Sequence, residues 1–294
     1  MKNLLFYALT VGIWGSTWYA IKFQLNGIPT QVSVTYRFAL ATLLLWGWCC
    51  LRRMRLRFSG PDHFLLMLLG LTLFSTNYVF LYEAEKHVVS GIVAIIFSLL
   101  VVFNILNGRV FFGLQSPRRV IVGALLGLVG ISLTFWPELR SMNSGSQSFW
   151  GITLGLAGTI SASFGNLLSA RLQDRSIPVV PANAFGMLYG TVALLAYAVL
   201  SGAKFNFDFS AGYVGSLLYL ALFGSVVAFG SYLTLVGRIG ADRAAYVTIL
   251  FPIVALLFSI AFEGYRLHWL AVLGIVCVLA GNGIVMLGSR GGRG

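Results

Sequence analysis

The sequence predicts an all-α polytopic membrane protein with ten transmembrane helices in two inverted-topology five-helix repeats. Three observations indicate this fold: a composition poor in charge, ten apolar runs, and similar motifs that recur at a nearly constant distance along the chain. Hydrophobic residues occupy 58% of the 294 positions and charged residues only 10%, whereas about 25% of the residues in soluble domains are charged. A chain with so little charge is predicted to lie in a membrane.

The ten apolar runs alternate with charged or turn-rich breaks, and a helix needs about 20 residues to cross a hydrocarbon core of about 30 Å. The predicted spans are residues 4–21, 32–51, 64–82, 88–112, 120–136, 149–170, 182–200, 213–236, 244–262 and 269–287. Of the seven prolines, only Pro252 falls in the middle of a span. Because proline removes a backbone donor and clashes with the preceding turn, Pro252 is a candidate hinge inside the bundle.

The net charge of +12 is distributed unevenly across the predicted membrane. If Met1 starts in the cytoplasm, fourteen of the basic residues fall in cytoplasmic segments, five fall outside, and only Arg37 lies within a span. This positive-inside bias predicts a multi-pass protein of the inner (plasma) membrane with both termini cytoplasmic. It also explains the positive charge without nucleic acid, which we do not expect as a partner.

Similar residues recur between the two halves of the chain, at offsets of 149, 151 and 152 positions. The recurring residues are Ile28-Pro29 with Ile177-Pro178, Gly123 and Gly130 with Gly274 and Gly281, and Lys86 with Arg238. The offsets predict a first five-helix repeat at residues 1–137, a connecting loop at 138–149 and a second five-helix repeat at 150–294. Since each repeat has an odd number of spans, the second repeat is inverted relative to the first, an arrangement that places a transporter's site between the repeats.

Four motifs follow one another along the chain: residues 14–18 (WGSTW), residues 35–41 (TYRFALA), residues 250–252 (LFP), and Glu263 ahead of a glycine-rich last span. In this order and spacing they resemble the drug/metabolite transporter superfamily, and within it the EamA-type ten-helix exporters of aromatic amino acids. The resemblance covers nearly the whole chain and implies export. Two positions depart from repeat symmetry: Leu100 stands where the ninth span has Pro252, and Phe112 stands opposite Glu263. We therefore expect the two halves to bend unequally.

The candidate substrate-binding residues carry rings, hydroxyls and amides, and in the first span three of them share one helix face. The set comprises Trp14, Thr17, Trp18, Asn77, Tyr78, Tyr82, Ser98, Ser163, Asn166, Phe229, Tyr232, Tyr246 and Thr248. Two indoles beside a hydroxyl suit a ring with polar substituents, but an interfacial aromatic belt has the same composition. The amides and serines either bind substrate or join helices. We expect the first, third, fourth, sixth, eighth and ninth spans to line the cavity and the others to form a scaffold.

The charged residues suggest a cavity without fixed charge. Arg37 is expected to anchor its helix by pairing with Glu83 or Glu85, in preference to binding a substrate carboxylate. All eight acidic residues lie in loops or near span ends, whereas a proton relay usually keeps a carboxylate at depth. We therefore predict a neutral cavity and no obligatory proton coupling.

The function predicted is export of aromatic and other neutral amino acids, and of similar small amphiphilic metabolites, by alternating access. No nucleophile with a base and no metal cluster lies at membrane depth in the sequence, so an enzyme, a metal site and a cofactor are not expected. The expected partners are a neutral or zwitterionic small molecule and membrane lipid, and the expected assembly is a monomer or weak homodimer. A proton-coupled drug or metabolite antiporter and a passive channel for neutral solutes remain alternatives.

Overall fold

The computed structural model describes residues 2–25, 27–113, 118–134, 136, 147–232 and 247–288, and within these the chain forms ten long helices and no strand. They are α1 (Lys2–Lys22), α2 (Thr30–Leu51), α3 (Gly60–Ala84), α4 (Ser90–Ser98 continued by Leu100–Phe112), α5 (Arg118–Thr134), α6 (Gln147–Asp174), α7 (Val179–Leu200), α8 (Ala211–Tyr232), α9 (Val247–Phe262) and α10 (Trp269–Gly288). Each predicted span overlaps one helix, which confirms the all-α fold.

Seven of these helices, α1 to α4 and α6 to α8, are long and apolar enough to cross a membrane. Shorter apolar stretches lie in the other three, at Leu125–Thr134, Leu250–Phe262 and Trp269–Gly281. Large apolar side chains on the outside of the bundle, such as Leu43 (72% exposed) and Leu200 (86% exposed), would be unfavourable in water and suit lipid. The protein is therefore a polytopic helical membrane protein.

The second helix of each half packs against its counterpart, and the pair runs antiparallel. Gln31 contacts Ser201 near one end of the pair, and the Trp46 indole donates to the Ala184 carbonyl (3.0 Å) near the other. Between them the hydroxyls of Thr42 and Thr191, which are 149 positions apart, lie 3.4 Å from each other. Because 149 is also one of the repeat offsets, equivalent residues touch here, as expected at the pseudo-twofold axis of an inverted repeat.

The fifth and tenth helices pair in the same antiparallel way through the glycines that the sequence repeats. A Cβ on Gly130 would lie 2.5 Å from the Gly274 carbonyl oxygen, and one on Gly281 would lie 2.6 Å from the Gly123 carbonyl oxygen. The two contacts are equivalent in the repeat, because Gly281 is the counterpart of Gly130 and Gly274 is the counterpart of Gly123, each 151 positions apart. The glycines thus allow close backbone approach, as small residues do in membrane helix pairs.

The two halves differ at the positions where we expect unequal bending. Pro252 lies inside α9, which is continuous over its described residues Val247–Phe262, whereas α4, which has no proline, is interrupted at Leu99 beside the equivalent residue Leu100. The Leu99 N–H donates to the Ile96 carbonyl (3.1 Å), three residues back, which tightens the helix there. The described residues thus show an interrupted helix in the first repeat and an uninterrupted one at the equivalent point of the second, and the hinge role of Pro252 stays a prediction.

Two π-helical segments, which the sequence reading did not anticipate, occupy equivalent positions in the repeats. Thr72–Thr76 lies within α3 and Leu220–Val227 within α8. The first helix of the opposite repeat braces each segment: the Ser161 hydroxyl donates to the Thr72 carbonyl (2.8 Å), and the Trp14 indole donates to the Gly224 carbonyl (3.2 Å). Since π segments free backbone carbonyls and often mark functional sites, these braces point to the space between the repeats.

Candidate substrate cavity

A cavity of about 740 Å³ lies at the centre of the bundle, within the range typical of small-molecule sites, roughly 300–1,000 Å³. At one end its lining residues Gln173 and Asp174 are exposed; at the other, Ile21, Leu81 and Arg37 are almost fully buried. The cavity is therefore open at one end and closed at the other. We call the open end, where Arg52, Asp62 and Arg175 also lie, the basic end, and the other, where Lys22, Glu85 and Glu263 lie, the closed end.

The structure brings nine of the predicted substrate-binding residues together in the cavity wall. They are Trp14, Thr17, Trp18, Asn77, Tyr78, Asn166, Phe229, Tyr232 and Thr248. The six helices expected to line the cavity all do so, but α2 contributes Arg37 and α7 contributes Val179 and Asn183. The expectation that α2 and α7 form only a scaffold is therefore wrong, because both helices contribute side chains to the cavity wall.

Three predicted residues lie outside the lining in this conformation. The Ser98 hydroxyl donates to the Ile95 carbonyl (2.7 Å) within its own helix, and Ser163 accepts from the Asn107 amide (3.0 Å) between α4 and α6. Tyr82 is fully buried one layer behind the wall. Pro252 is not in the lining either, although its neighbour Phe251 is. Tyr246, also predicted to bind substrate, lies outside the described residues.

The aromatic wall is built around the two indoles of α1. Trp14 contacts Phe229 (ring centroids 5.2 Å apart, edge to face) and Tyr232 (5.3 Å) on α8. Trp18 contacts Phe97 (5.4 Å) on α4 and lies parallel to Phe251 (6.0 Å) on α9. Each such pair contributes about 0.5–1.5 kcal/mol beyond area burial. The rings thus hold one another in place and give the cavity a preorganised surface for an apolar group.

Arg37 does not form the predicted ion pair, since no carboxylate of the described residues lies within salt-bridge distance of its guanidinium. Nη1 donates to the Tyr82 hydroxyl (3.1 Å), Nε donates to the Ser225 hydroxyl (3.3 Å), and the guanidinium carbon lies 4.6 Å from the centre of the Tyr78 ring. Tyr82 and the serine of the α8 π segment replace the carboxylate because they face α2 at the depth of Arg37. Glu83 pairs instead with Lys86 (2.8 Å).

The position of Arg37 also corrects the expectation of an uncharged cavity. The guanidinium has five donors, and its hydrogen bonds to described residues use two of them. Arg37 lines the buried end of the cavity, while Asp174 lines its exposed mouth. The buried charge is therefore positive and fits a ligand carboxylate.

Two amides of the wall present hydrogen-bond acceptors. The Asn77 amide nitrogen donates to the Leu73 carbonyl (3.1 Å) beside the α3 π segment. The side-chain oxygens of Asn77 and Asn104 are buried and have no hydrogen-bond partner among the described residues. Because an unsatisfied buried acceptor costs about 1–3 kcal/mol, both oxygens favour a ligand that carries N–H donors, such as an ammonium group.

Two polar lining residues, Gln173 and Asp174, escaped the sequence reading because α6 extends beyond the predicted end of its span at residue 170, to Asp174. Asn166, Ser169, Ala170 and Gln173 all line the cavity and follow the i, i+3, i+4, i+7 spacing of one helix face. Continuing this periodicity from the predicted residue Asn166 would have found Ser169 within the span and Gln173 beyond its predicted end.

At the closed end, a polar latch of Lys22, Ser90, Ser259 and Glu263 joins α1, α4 and α9. The Lys22 ammonium lies 3.6 Å from the Glu263 carboxylate and donates to the backbone carbonyls of Val88 (3.1 Å) and Glu85. Glu263 accepts from the backbone N–H (3.1 Å) and hydroxyl (2.6 Å) of Ser90 and from the Ser259 hydroxyl. A carboxylate at the first N–H groups of α4 satisfies the helix terminus and favours its dipole.

Comparison with known proteins agrees with this architecture. The model of the EamA-like transporter family matches residues 1–136 and 149–287, one stretch for each half of the chain. The chain belongs to the EamA-like transporter family. This EamA-like protein is accordingly a membrane transporter and not an enzyme. The boundaries predicted for the two repeats and their loop stay a prediction.

The relatives of this EamA-like transporter include proteins of Escherichia coli K12. The uncharacterized inner membrane transporter YedA is 31% identical over 271 residues, which cover 90% of this chain and 84% of YedA. A probable amino-acid metabolite efflux pump is 24% identical, over 96% of this chain and 94% of the pump. One crystal structure superposes with a TM-score of 0.69 at 15% identity, covering 98% of this chain and 97% of its own; this likeness shows the fold alone.

Proposed function

We propose that the protein exports aromatic and other neutral amino acids, and similar small amphiphilic metabolites, across the inner membrane by alternating access. One observation carries the proposal: a buried guanidinium, two unsatisfied amide oxygens and a cluster of rings face the same cavity. The names of two relatives, an inner membrane transporter and a probable amino-acid metabolite efflux pump, support it.

Each part of an amino acid has a complementary group in the cavity. The carboxylate binds Arg37 through charge-assisted hydrogen bonds, which are stronger than neutral ones. The ammonium group donates to the side-chain oxygens of Asn77 and Asn104. The side chain lies against the indoles of Trp14 and Trp18, and because ring contacts tolerate many shapes, aromatic residues bind best and smaller neutral ones more weakly. An uncompensated carboxylate on the ligand side chain would find no second cation among the described residues of this lining.

The orientation follows from the charge distribution. The positive-inside bias supports a cytoplasmic position for both termini and the basic end, and in this proposal the conformation described faces inward, with Gln173 and Asp174 at its entrance. Substrate enters from the cytoplasm and reaches Arg37 near the closed end. Release requires the latch of Lys22 and Glu263 to open while the basic end closes, which the inverted repeats allow by exchanging their conformations.

The experiment is counterflow of labelled phenylalanine in proteoliposomes, with phenylalanine, phenylalanine amide and 3-phenylpropionate as competitors. We expect saturable counterflow and weaker competition by both analogues, since one lacks the carboxylate that binds Arg37 and the other lacks the ammonium group. Arg37→Gln should raise the KM for phenylalanine by about 10- to 100-fold, because a hydrogen bond to a charged group contributes about 1.5–3 kcal/mol. Arg37→Lys should recover part of this loss.

Arg52→Gln, at an exposed arginine outside the cavity, is the matched control and should transport like the wild type. Equal competition by phenylalanine and phenylalanine amide would contradict the proposal that the substrate carboxylate binds Arg37, and this comparison needs no variant. Flux that neither saturates nor shows counterflow would contradict alternating access and favour a channel.

A further inference from the structure

Glu85 is the most deeply buried carboxyl group of the described residues. It follows directly after α3, at the closed end, and is 1% exposed. Neither of its side-chain oxygens has a hydrogen-bond partner among the described residues. An ionised carboxylate without hydrogen bonds is strongly disfavoured in such surroundings, and the group lowers this cost by binding a proton. The sequence predicts that Glu85 lies in a loop or near a span end, and nothing in the sequence indicates that it is buried.

The Glu85 carboxyl forms no ion pair with any cation of the described residues, because the nearby cations bind other groups. The titratable and charged groups that act on it electrostatically are Lys22 on α1, Arg37 on α2, Tyr82 on α3 and Glu263 after α9. Its neighbours along the chain are Glu83, Lys86 and His87. Lys22 is held by two backbone carbonyls and Glu263, Arg37 by Tyr82 and Ser225, and Lys86 by Glu83. Two carboxyl groups, Glu85 and Glu263, thus share the single ammonium of Lys22.

Glu85 lies between the cavity and the polar latch. On one side Arg37 lines the buried end of the cavity and binds Tyr82 behind it; on the other the Lys22 and Glu263 pair belongs to the latch. Burial raises the pKa of the Glu85 carboxyl well above its ordinary value; the Lys22 ammonium opposes this shift and the Glu263 carboxylate reinforces it. With a proton on Glu85, the cluster of Lys22, Glu85 and Glu263 is electrically neutral.

We propose that Glu85 is a proton-binding site whose occupancy stabilises the closed end, so that opening of this end releases the proton. On opening, the O–H bond of the Glu85 carboxyl breaks, the proton passes to water or a buffer base at the closed end, and the carboxylate gains water as its partner. On closing, the carboxylate takes a proton back. The inference rests on the proposed alternating access, but not on the identity of the substrate.

The direction of the pH dependence follows from linkage. A carboxyl in water has its ordinary pKa of about 4.3, while the buried Glu85 binds its proton more tightly. Between these two values the closed state holds one proton more than the open state, so raising the pH favours opening by up to about tenfold per pH unit. Acid should therefore hold the end shut, and alkali should open it. This adds a proton linkage to the sequence-based prediction, which is that transport has no obligatory proton coupling.

The first test is an infrared titration of the purified protein in lipid from about pH 5 to pH 9, above the ordinary carboxyl pKa of about 4.3. We expect a protonated-carboxyl band that persists at neutral pH in the wild type and in Glu83→Gln, and that is missing in Glu85→Gln. Glu83→Gln is the matched control, because Glu83 lies two positions away but is half-buried and paired with Lys86. An unchanged band in Glu85→Gln would overturn the proposal.

If Glu85→Gln does not fold, carbodiimide labelling of the wild type with peptide mass spectrometry gives the answer without a variant. This reagent adds to protonated carboxyl groups, so Glu85 should be modified at neutral pH and Glu83 should not; modification of neither, or of both equally, would contradict a proton held at Glu85.

The second test measures the distance between spin labels at Phe23→Cys and Arg266→Cys, which flank the closed end, as a function of pH. The wild type should gain a longer distance as the pH rises, and Glu85→Gln should not respond. An equal response in Glu85→Gln would overturn the linkage. Should the protein prove unable to transport amino acids while both tests succeed, the proposed function would fail and the proton site would stand.

Discussion

Replacing Lys22 by methionine should open the closed end, because Lys22 is the only cation of the polar latch. Its ammonium donates to two backbone carbonyls and lies 3.6 Å from Glu263, with 27% of the side chain exposed. Hydrogen bonds that involve a charged group contribute about 1.5–3 kcal/mol, and exposed ion pairs about 0.2–1 kcal/mol. Allowing for the exposure, we expect the closed state to lose about 2 kcal/mol, roughly a 30-fold change in the ratio of closed to open molecules.

The assay is the spin-label distance between Phe23→Cys and Arg266→Cys, in a background from which Cys49, Cys50 and Cys277 have been removed. Lys22→Met should add a longer distance to the single short one expected of the parent. Lys86→Met is the control, since Lys86 pairs with Glu83 and takes no part in the latch. An unchanged distance distribution in a folded Lys22→Met protein would show that the latch does not hold the end closed.

The remaining predictions concern the cavity wall and the helix contacts. Trp14→Ala should raise the KM for phenylalanine by about tenfold or more, because it removes the indole that the substrate ring contacts and the ring contacts that hold Phe229 and Tyr232 in the wall. Trp150→Ala on the exposed surface should have no effect, and equal KM values for Trp14→Ala and the wild type in counterflow would remove Trp14 from the site. Gly130→Ala should lower the melting temperature of the purified protein, because the new Cβ meets a backbone carbonyl at 2.5 Å. Gly47→Ala, with nothing within 4 Å of the added Cβ, should leave the melting temperature unchanged. Similar melting temperatures for Gly130→Ala and Gly47→Ala would contradict the close contact of α5 and α10.

Periodicity and repeat offsets predicted much of the fold. Apolar runs report burial in lipid directly, so each predicted span overlaps a helix. The offset of 149 positions, read from two Ile-Pro pairs, recurs as the contact between Thr42 and Thr191. In the same way, the i, i+3, i+4 spacing of Trp14, Thr17 and Trp18 predicted a shared face, and all three line the cavity.

The features that sequence reasoning missed depend on contacts between distant segments. The π segments of α3 and α8 are stabilised by donors on α6 and α1, which no local pattern reveals. Arg37 binds Tyr82 and Ser225, on two other helices, and not the acidic residues expected. Glu85 sits at a span end, where carboxylates are usually hydrated, and is buried only because the segments that carry Lys22 and Glu263 pack over it.

The most direct test of the central claim is an experimental structure of the protein with phenylalanine bound. The account predicts the carboxylate within hydrogen-bond distance of the Arg37 guanidinium, the ammonium group near the side-chain oxygens of Asn77 and Asn104, and the ring against the indoles of α1. Phenylalanine bound elsewhere, or bound in the cavity with its carboxylate turned away from Arg37, would contradict it.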